Sequence, residues 1–477
     1  MRARVATLLL ALAAVAGALH AQGPDRTKPP VPGPPPALKV PAIQKRTLTN
    51  GVPVWIMESH EVPLVQVNLV VLAGSADDPA GRFGLASFTS AMLDEGAGSR
   101  SALEIADTID GLGATLSAAN GIDSSGVRLN VPVAKLGAAL PIMADVALRP
   151  AFPSADLERV RQERLTTLLQ TRDEAASLAA LAFSRTVFGP THRYGTGVMG
   201  TEASVRGTTR ADLAAFHKAH YVPGKAALLV VGDVTPASVL PLLQQHFGGW
   251  TGSGARRASL PAPPQVARRR VVIVDKPGVP QSQIRIGWVG PSRATPDYFA
   301  LDVMNTMLGG SFSSRLNENL REEHGYTYGA YSAFDLRRVA GYFSAQAGVQ
   351  TDKTADALKE FFNEFGRITT FEAAELTRTK NNLALSYPAE FETSTQLSRK
   401  LEDVLVHGLP DDYFDRYVGR VQAVTGEQVQ KAALRHLDPA RFVVVIVGDR
   451  KKIEPGVAAL KLAPVVETMT VDELMSR

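Results

Sequence analysis

The sequence predicts an α+β fold of two homologous repeats, each an antiparallel sheet covered by helices, joined by a linker. Three observations carry this expectation. Short β-branched apolar runs recur at nearly equal offsets in the two halves of the chain. Segments with helical spacing follow them in each half. A stretch that lacks apolar periodicity, residues 252–270, separates the halves.

The first 21 residues read as a secretory signal peptide. Arg2 and Arg4 precede an apolar run from Val5 to about Leu19, and Ala16-Gly17-Ala18 and Ala21 offer small-residue cleavage sites. Residues 22–42 are a Pro-rich, extended tether with no core-forming pattern. The first repeat is expected over residues 43–251. Its opening run, "VWIM" at 54–57, is followed by Val62-Pro63 and the alternating strand "LVQVNLVVLAG". The second repeat, residues 271–462, opens the same way with "VVIV" at 271–274, then Val279-Pro280 and "QSQIRIGWVG". Near the ends of the two halves "HYVPGKAALLVVGD" (220–233) matches "HLDPARFVVVIVGD" (436–449). Helical spacing appears at Ala102–Leu112, Ala155–Leu169, Ala211–Ala219, Tyr298–Leu308, Thr354–Phe365 and Phe371–Asn382, and a strand pair at Thr115–Ala119 and Ser125–Val131. Residues 463–477 are expected to form a C-terminal tail.

Composition narrows the function. At 477 residues, 45% hydrophobic and 21% charged, the chain suits a globular protein of several domains. A formal net charge of +4 with no dense Lys/Arg run gives no basis for nucleic-acid binding. There is no cysteine, which excludes disulfides, a thiol nucleophile and a lipid anchor on cysteine. No second apolar run reaches the length of a membrane span, so a periplasmic or secreted protein is expected after signal removal.

The catalytic motifs of common hydrolases are missing. There is no G-x-S-x-G, no phosphate-binding glycine loop with its lysine, and neither H-E-x-x-H nor H-x-x-E-H. Of the nine histidines only His217 and His220 lie within one helical turn. Their place in the repeated helix–turn–strand element favours packing over metal binding. Asp94 and Glu95 diverge by about 100° on a helix and do not form an acid/base pair. Arg100 is the expected compensating cation for these acids at a helix C-terminus.

Three stretches resemble the pitrilysin/insulinase family of zinc peptidases: "GRFGLASFTSAMLDEG" (81–96), "THRYGTGVMGTEASVRGTTRADLAAFHKAHYVPGKAALLVVGDV" (191–234) and "GGSFSSRLNENLREEHGYTYGAYS" (309–332). The resemblance covers essentially the whole mature chain and implies two repeated α+β units forming half of a clamshell. In active members of that family the first motif carries two histidines and a glutamate. Here Ser87, Ser90 and Ala91 stand at those positions, and the later third-ligand glutamate falls near Thr167. Hydroxyls and a methyl group do not replace imidazoles and a carboxylate, so no metal is expected in this chain. The second half keeps more. The resemblance implies that an arginine and a tyrosine seven residues apart, Arg321 and Tyr328, bind the substrate backbone and polarise the scissile carbonyl across a cleft. Gly309 and Gly310 read as a loop beside that cleft, with a simple helix C-cap as the alternative. Arg315 and Tyr326 are alternates, and His324 supports the loop.

Some members of the family work as pairs, one subunit with the zinc motif and one without. The resemblance therefore implies a zinc-free, substrate-binding subunit of a heterodimeric metalloendopeptidase acting on unfolded peptides, with zinc in a homologous partner. The alternative is a non-enzymatic peptide-binding or scaffold protein of the same fold.

Overall fold

Each half of the chain folds around one six-stranded sheet. The computed structural model describes residue 33, residues 38–252 and residues 259–476. The expected signal peptide, most of the tether, residues 253–258 of the linker and Arg477 lie outside the described residues. The first sheet contains β1 (Gln44–Thr47), β2 (Pro53–Glu58), β3 (Leu64–Val71), β4 (Thr115–Asn120), β5 (Ser125–Pro132) and β6 (Ala226–Gly232), in the order β1-β2-β6-β3-β5-β4. The second contains β7 (Arg270–Asp275), β8 (Gln281–Val289), β9 (Thr327–Asp335), β10 (Tyr342–Gln350), β11 (Val443–Gly448) and β12 (Val466–Thr470), in the order β9-β10-β8-β11-β7-β12. Reading the second sheet from its other edge makes the duplication visible. β7, β11, β8, β10 and β9 then take the places of β2, β6, β3, β5 and β4, including a parallel pair one strand in from the edge, β2–β6 and β7–β11.

The two sheets differ in one edge strand. β1 pairs antiparallel with β2, whereas β12 runs parallel to β7. The residues expected as a C-terminal tail thus complete the second sheet and end in a helix, Val471–Ser476. The unpaired edge of β7 needed a partner, and the chain end supplies it. The end of the tether is also placed: Leu38 and Val40 pack on the second half, and the Val40 amide donates to Asp415 at 3.0 Å.

Five helices position the sites discussed below: α1 (Leu85–Ala91), α2 (Ser154–Asp173), α3 (Ala175–Phe188), α4 (Arg210–His220) and α5 (Ser394–His407). The repeats exchange two of them. α3, from the first half, packs on β8 and β11 of the second sheet. Its Leu178, Ala182, Phe183 and Val187 are buried with Val274, Val443, Val445 and Val447. α5, from the second half, packs on β3 and β6 of the first sheet, where Leu397 and Leu401 join Met57, Val70, Leu229 and Val231. Both faces of each sheet are therefore covered. This is why β6 (AALLVVG) and β11 (VVVIVG) are apolar and buried at every position instead of alternating. Polar residues mark the α5 contact as well: Asn68 Nδ2 donates to Ser398 Oγ at 3.3 Å, and Thr395 Oγ1 to Gln66 Oε1 at 3.3 Å. Among the described residues no helix is long and apolar enough to cross a membrane.

Candidate functional site

α1 is built to be held rigidly at its start. Gly84, its N-cap, has φ +87°, and a Cβ there would lie 2.5 Å from the Met199 carbonyl oxygen. Only glycine tolerates both the left-handed backbone and this approach. The Asp78 carboxylate accepts hydrogen bonds from the amides of Gly84 and Ala86, both at 2.7 Å, capping the exposed donors of the first turn. Leu85, Phe88, Met92 and Leu93 are buried and fix the packing face.

Burial pushes the Asp78 carboxyl up to about 7, against the two amide bonds and the nearby Arg193 charge. A carboxyl raised in the folded state stabilises that state fully below its unfolded value of 3.8 and loses this contribution as pH rises through 7. Compared with an Asp78→Asn chain, the native protein is expected to lose about 4 kcal/mol between pH 4 and pH 7.5, about 1.4 kcal/mol for each of roughly three pKa units. Urea unfolding of both chains across that range checks this. Parallel stability curves would remove Asp78 as the cause.

The opposite side of α1 carries the degenerate positions. Ser87 Oγ donates to the Val198 carbonyl at 2.7 Å, with the Gly84 carbonyl at 3.1 Å. Ser90 is 3% exposed, and its hydroxyl has no hydrogen-bond partner. Ala91 is half-buried. Thr167 makes no hydrogen bond to this helix. It is exposed, and its hydroxyl folds back onto the Glu163 carbonyl of α2 at 3.0 Å. Glu163 is turned to solvent, paired with Arg159 at 2.7 Å.

Arg164 of α2, one turn before Leu168, hydrogen-bonds to α1. It is 6% exposed, and its Nη2 donates to Ser87 Oγ at 2.6 Å and to the Met199 carbonyl at 3.2 Å. Its guanidinium lies 4.8 Å from the centre of the Phe88 ring. Burial lowers its pKa to about 10, which leaves it charged at neutral pH. Sequence reasoning passed over Arg164 because a lone arginine in a charged helix reads as a solvated side chain. The signal available was its place beside Leu165 and Leu168, on the side of α2 that turns inward.

The zinc that the fold family implies does not fit these residues. The side chains at the position are two hydroxyls, a methyl group and a guanidinium, none of them an effective zinc ligand, and the guanidinium adds a positive charge. Among the described residues no group of three His, Cys, Asp or Glu side chains is placed to hold a metal. His217 and His220 of α4 are committed elsewhere. His217 Nε2 bonds the Ala147 carbonyl at 2.9 Å, and the His220 ring packs on Phe216 at 4.3 Å.

Two local expectations are corrected. Arg100 does not compensate Asp94 or Glu95; it pairs with Asp145 at 2.7 Å, and Glu95 pairs with Arg159. The short hairpin 96–101 turns Arg100 away from the end of α1 and toward Asp145. Gly309 and Gly310 do not form a loop. They end a wide helical turn, Thr306–Gly310, and Gly309 is buried against β9, where a Cβ would lie 2.5 Å from the Ser332 amide nitrogen. The helix end approaches the strand too closely for any side chain.

Arg321 and Tyr328 lie on either side of the turn that leads into β9. Arg321 lies in the wide turn Glu318–Glu323; its guanidinium is 4.6 Å from the Phe312 ring centre, and its Nε is 3.2 Å from Glu322. Tyr328 lies on the edge strand β9 and is 90% exposed. Thr327 faces Val349 and Ala330 faces Ala347, so β9 carries one extra residue at 328–329. Such a bulge re-aims a side chain at a sheet edge, and here it falls on Tyr328. The alternates have other work. Arg315 makes a two-pronged pair with Glu375 at 2.7 Å and binds the carbonyls of Arg367 and Thr370 at 2.8 Å, and Tyr326 stacks on His324 at 4.9 Å. A partly exposed cation, Arg321, and an exposed phenolic donor, Tyr328, remain, groups suited to binding a peptide carbonyl.

Comparison with known proteins agrees with this architecture. Residues 54–191 match the model of the insulinase family (peptidase family M16), and residues 208–383 match that of the peptidase M16 inactive domain. An uncharacterized zinc protease of Mycobacterium leprae is 30% identical over 322 residues, 66% of this chain and 71% of that one. The mitochondrial-processing peptidase subunit beta of Mus musculus is 23% identical over 446 residues, 90% of this chain and 89% of that one. Among solved structures, a peptidase M16 inactive domain from Pseudomonas fluorescens superposes with a TM-score of 0.79 at 27% identity, covering 85% of this chain and 98% of that one. With the sheet order, the degenerate α1 and the Arg/Tyr element already placed, these matches establish that the chain belongs to the insulinase family of peptidases, peptidase family M16.

Proposed function

We propose that this chain is the zinc-free, substrate-binding subunit of a heterodimeric metalloendopeptidase, working outside the cytoplasm on unfolded peptides. The observation that carries the reading is the contrast between its two half-sites. On α1 the metal positions are occupied by Ser87, Ser90 and Ala91 and faced by a buried guanidinium. On the second half Tyr328 stands exposed on a bulged edge strand, and Arg321 is partly exposed.

In this reading the metal chemistry belongs to a zinc-motif-bearing homologous subunit. A relative named as a peptidase subunit supports an assembly of more than one chain in the family. This chain contributes positioning. Arg321 donates to the substrate backbone from a guanidinium steadied by Phe312, and Tyr328 donates its phenolic hydrogen to the carbonyl oxygen as negative charge develops there. An enclosing pair of subunits selects extended, unfolded peptides over folded proteins. The test is peptide cleavage by the chain alone and by its mixture with a zinc-motif homologue from the same source.

A further inference from the structure

We infer that a tyrosine-walled cavity beside α5 is a binding site for a primary ammonium group. The inference stands whether or not the chain works in a pair, and it uses none of the residues of the two half-sites.

α5 places Leu397 and Leu401 against the first sheet, while its Lys400, Asp403 and His407 line a cavity of about 370 Å³. The walls are aromatic. Tyr298, Tyr387, Tyr413, Phe414 and Tyr417 line them, and the Tyr387 and Tyr417 rings stack 4.0 Å apart. Such faces favour a cation. Two cations of the chain are already engaged there. The Arg293 guanidinium lies 3.9 Å from the Tyr298 ring centre and 4.8 Å from that of Tyr413, and Lys400 pairs with Glu390.

The charges do not balance. Against Arg293 and Lys400 the cavity carries three carboxylates, Asp302, Glu390 and Asp403. Glu390 has Lys400 as its partner. Asp302 accepts the Tyr417 hydroxyl and has no ion pair, and Asp403 makes neither a hydrogen bond nor an ion pair with the described residues. Burial raises the Asp302 carboxyl above its ordinary value, so a further positive charge beside it is favoured.

Tyr387 is the independent sign of a missing occupant. It is 4% exposed, and its hydroxyl is buried without a partner. Burial and the nearby charges of Glu390 and Asp302 raise its pKa, which sets the hydroxyl among the same carboxylates. A buried polar group left unpaired in a native fold calls for a partner. One group answers all three vacancies. A primary ammonium carries a single charge and three donors, enough for Asp302, Asp403 and the Tyr387 oxygen, and its alkyl stem packs on the rings. A metal ion does not answer them: among the described residues no group of three His, Cys, Asp or Glu side chains is placed to hold one.

The test is a ligand-observed NMR titration of the full chain with two amines. Nα-acetyl-lysine amide carries its only amine on a side chain, and glycyl-glycine amide carries it at a chain terminus. Nα,Nζ-diacetyl-lysine amide is the neutral control. Saturable binding of at least one amine is expected, with none of the control. Binding of the lysine probe alone assigns the ammonium to a side chain, of the dipeptide alone to a chain terminus, and of both to primary amines in general; each supports the site. Asp403→Asn is expected to weaken binding roughly tenfold and Tyr387→Phe roughly fivefold. Both substitutions keep the shape of the side chain, and Tyr387→Phe removes only an unpaired hydroxyl, so its thermal unfolding midpoint should not fall. Binding of neither amine, equal binding of the neutral control, or an affinity unchanged in either folded variant would overturn the inference.

Discussion

Replacing Arg321 with alanine is expected to lower the turnover of the assembled pair roughly 10²–10³-fold, the effect of losing about 2.7–4 kcal/mol of transition-state stabilisation from one fixed donor. Arg321 is about a third exposed and stacked on Phe312, so its guanidinium is held while its donors stay available. A contact made chiefly as charge develops on the carbonyl lowers kcat more than it raises KM. Arg321→Lys keeps the charge and loses the planar fork, and should recover only part of the rate. Tyr328→Phe isolates the phenolic hydrogen in the same way. Steady-state kinetics of the pair on an unfolded peptide reads all three. Turnover unaffected by Arg321→Ala would mean that the exposed arginine does not act on the substrate.

Phe183→Ala is expected to cost about 3–5 kcal/mol of stability, and to cost it in the second sheet. Phe183 belongs to the first half by sequence, yet it is fully buried against the second sheet, with the Tyr342 ring 5.5 Å away. Gly287 on β8 leaves room for it; a Cβ there would lie 2.9 Å from the Phe183 ring. Truncation opens a cavity between α3 and β8 that neighbouring strands, paired on both sides, cannot fill by shifting. Urea unfolding should show a large loss, and hydrogen exchange should locate it in β8 and β11. Leu169→Ala, at a residue 61% exposed, is the comparison and should change stability by no more than about 0.5 kcal/mol. Protection in the second sheet that survived Phe183→Ala would contradict the exchanged-helix account.

The sheets were legible in the sequence because duplication wrote each strand twice. Val54–Met57 with Val271–Val274, and the two runs ending in Gly-Asp, became β2, β7, β6 and β11. The exchanged helices were not legible. Periodicity says that α3 has apolar positions but does not say which sheet receives them, and α3 covers the sheet of the other half. Residues 463–477 read as a tail because "VETMT" is a weak strand signal that depends on the open edge of β7.

At the site, residue types were readable and directions were not. The loss of imidazoles at 87 and 91 needs only the sequence. That Arg164 bonds Ser87 depends on the rotation of α2, which tertiary packing sets. Gly309 and Gly310 looked like a loop because paired glycines usually mark one; here the first is required by the approach of a helix end to Ser332. The bulge that presents Tyr328 had one trace in the sequence, Gly329 within a strand.

The division of labour between two chains is tested most directly by reconstitution. The purified chain, its zinc-motif homologue and an equimolar mixture are each given an unfolded fluorogenic peptide, with and without a chelator. The account predicts little or no cleavage by this chain alone, and chelator-sensitive cleavage by the mixture well above that of the homologue alone. Zinc-dependent cleavage by this chain alone would contradict it. A mixture no more active than the homologue would contradict the paired enzyme and leave a peptide-binding or scaffold role for this fold.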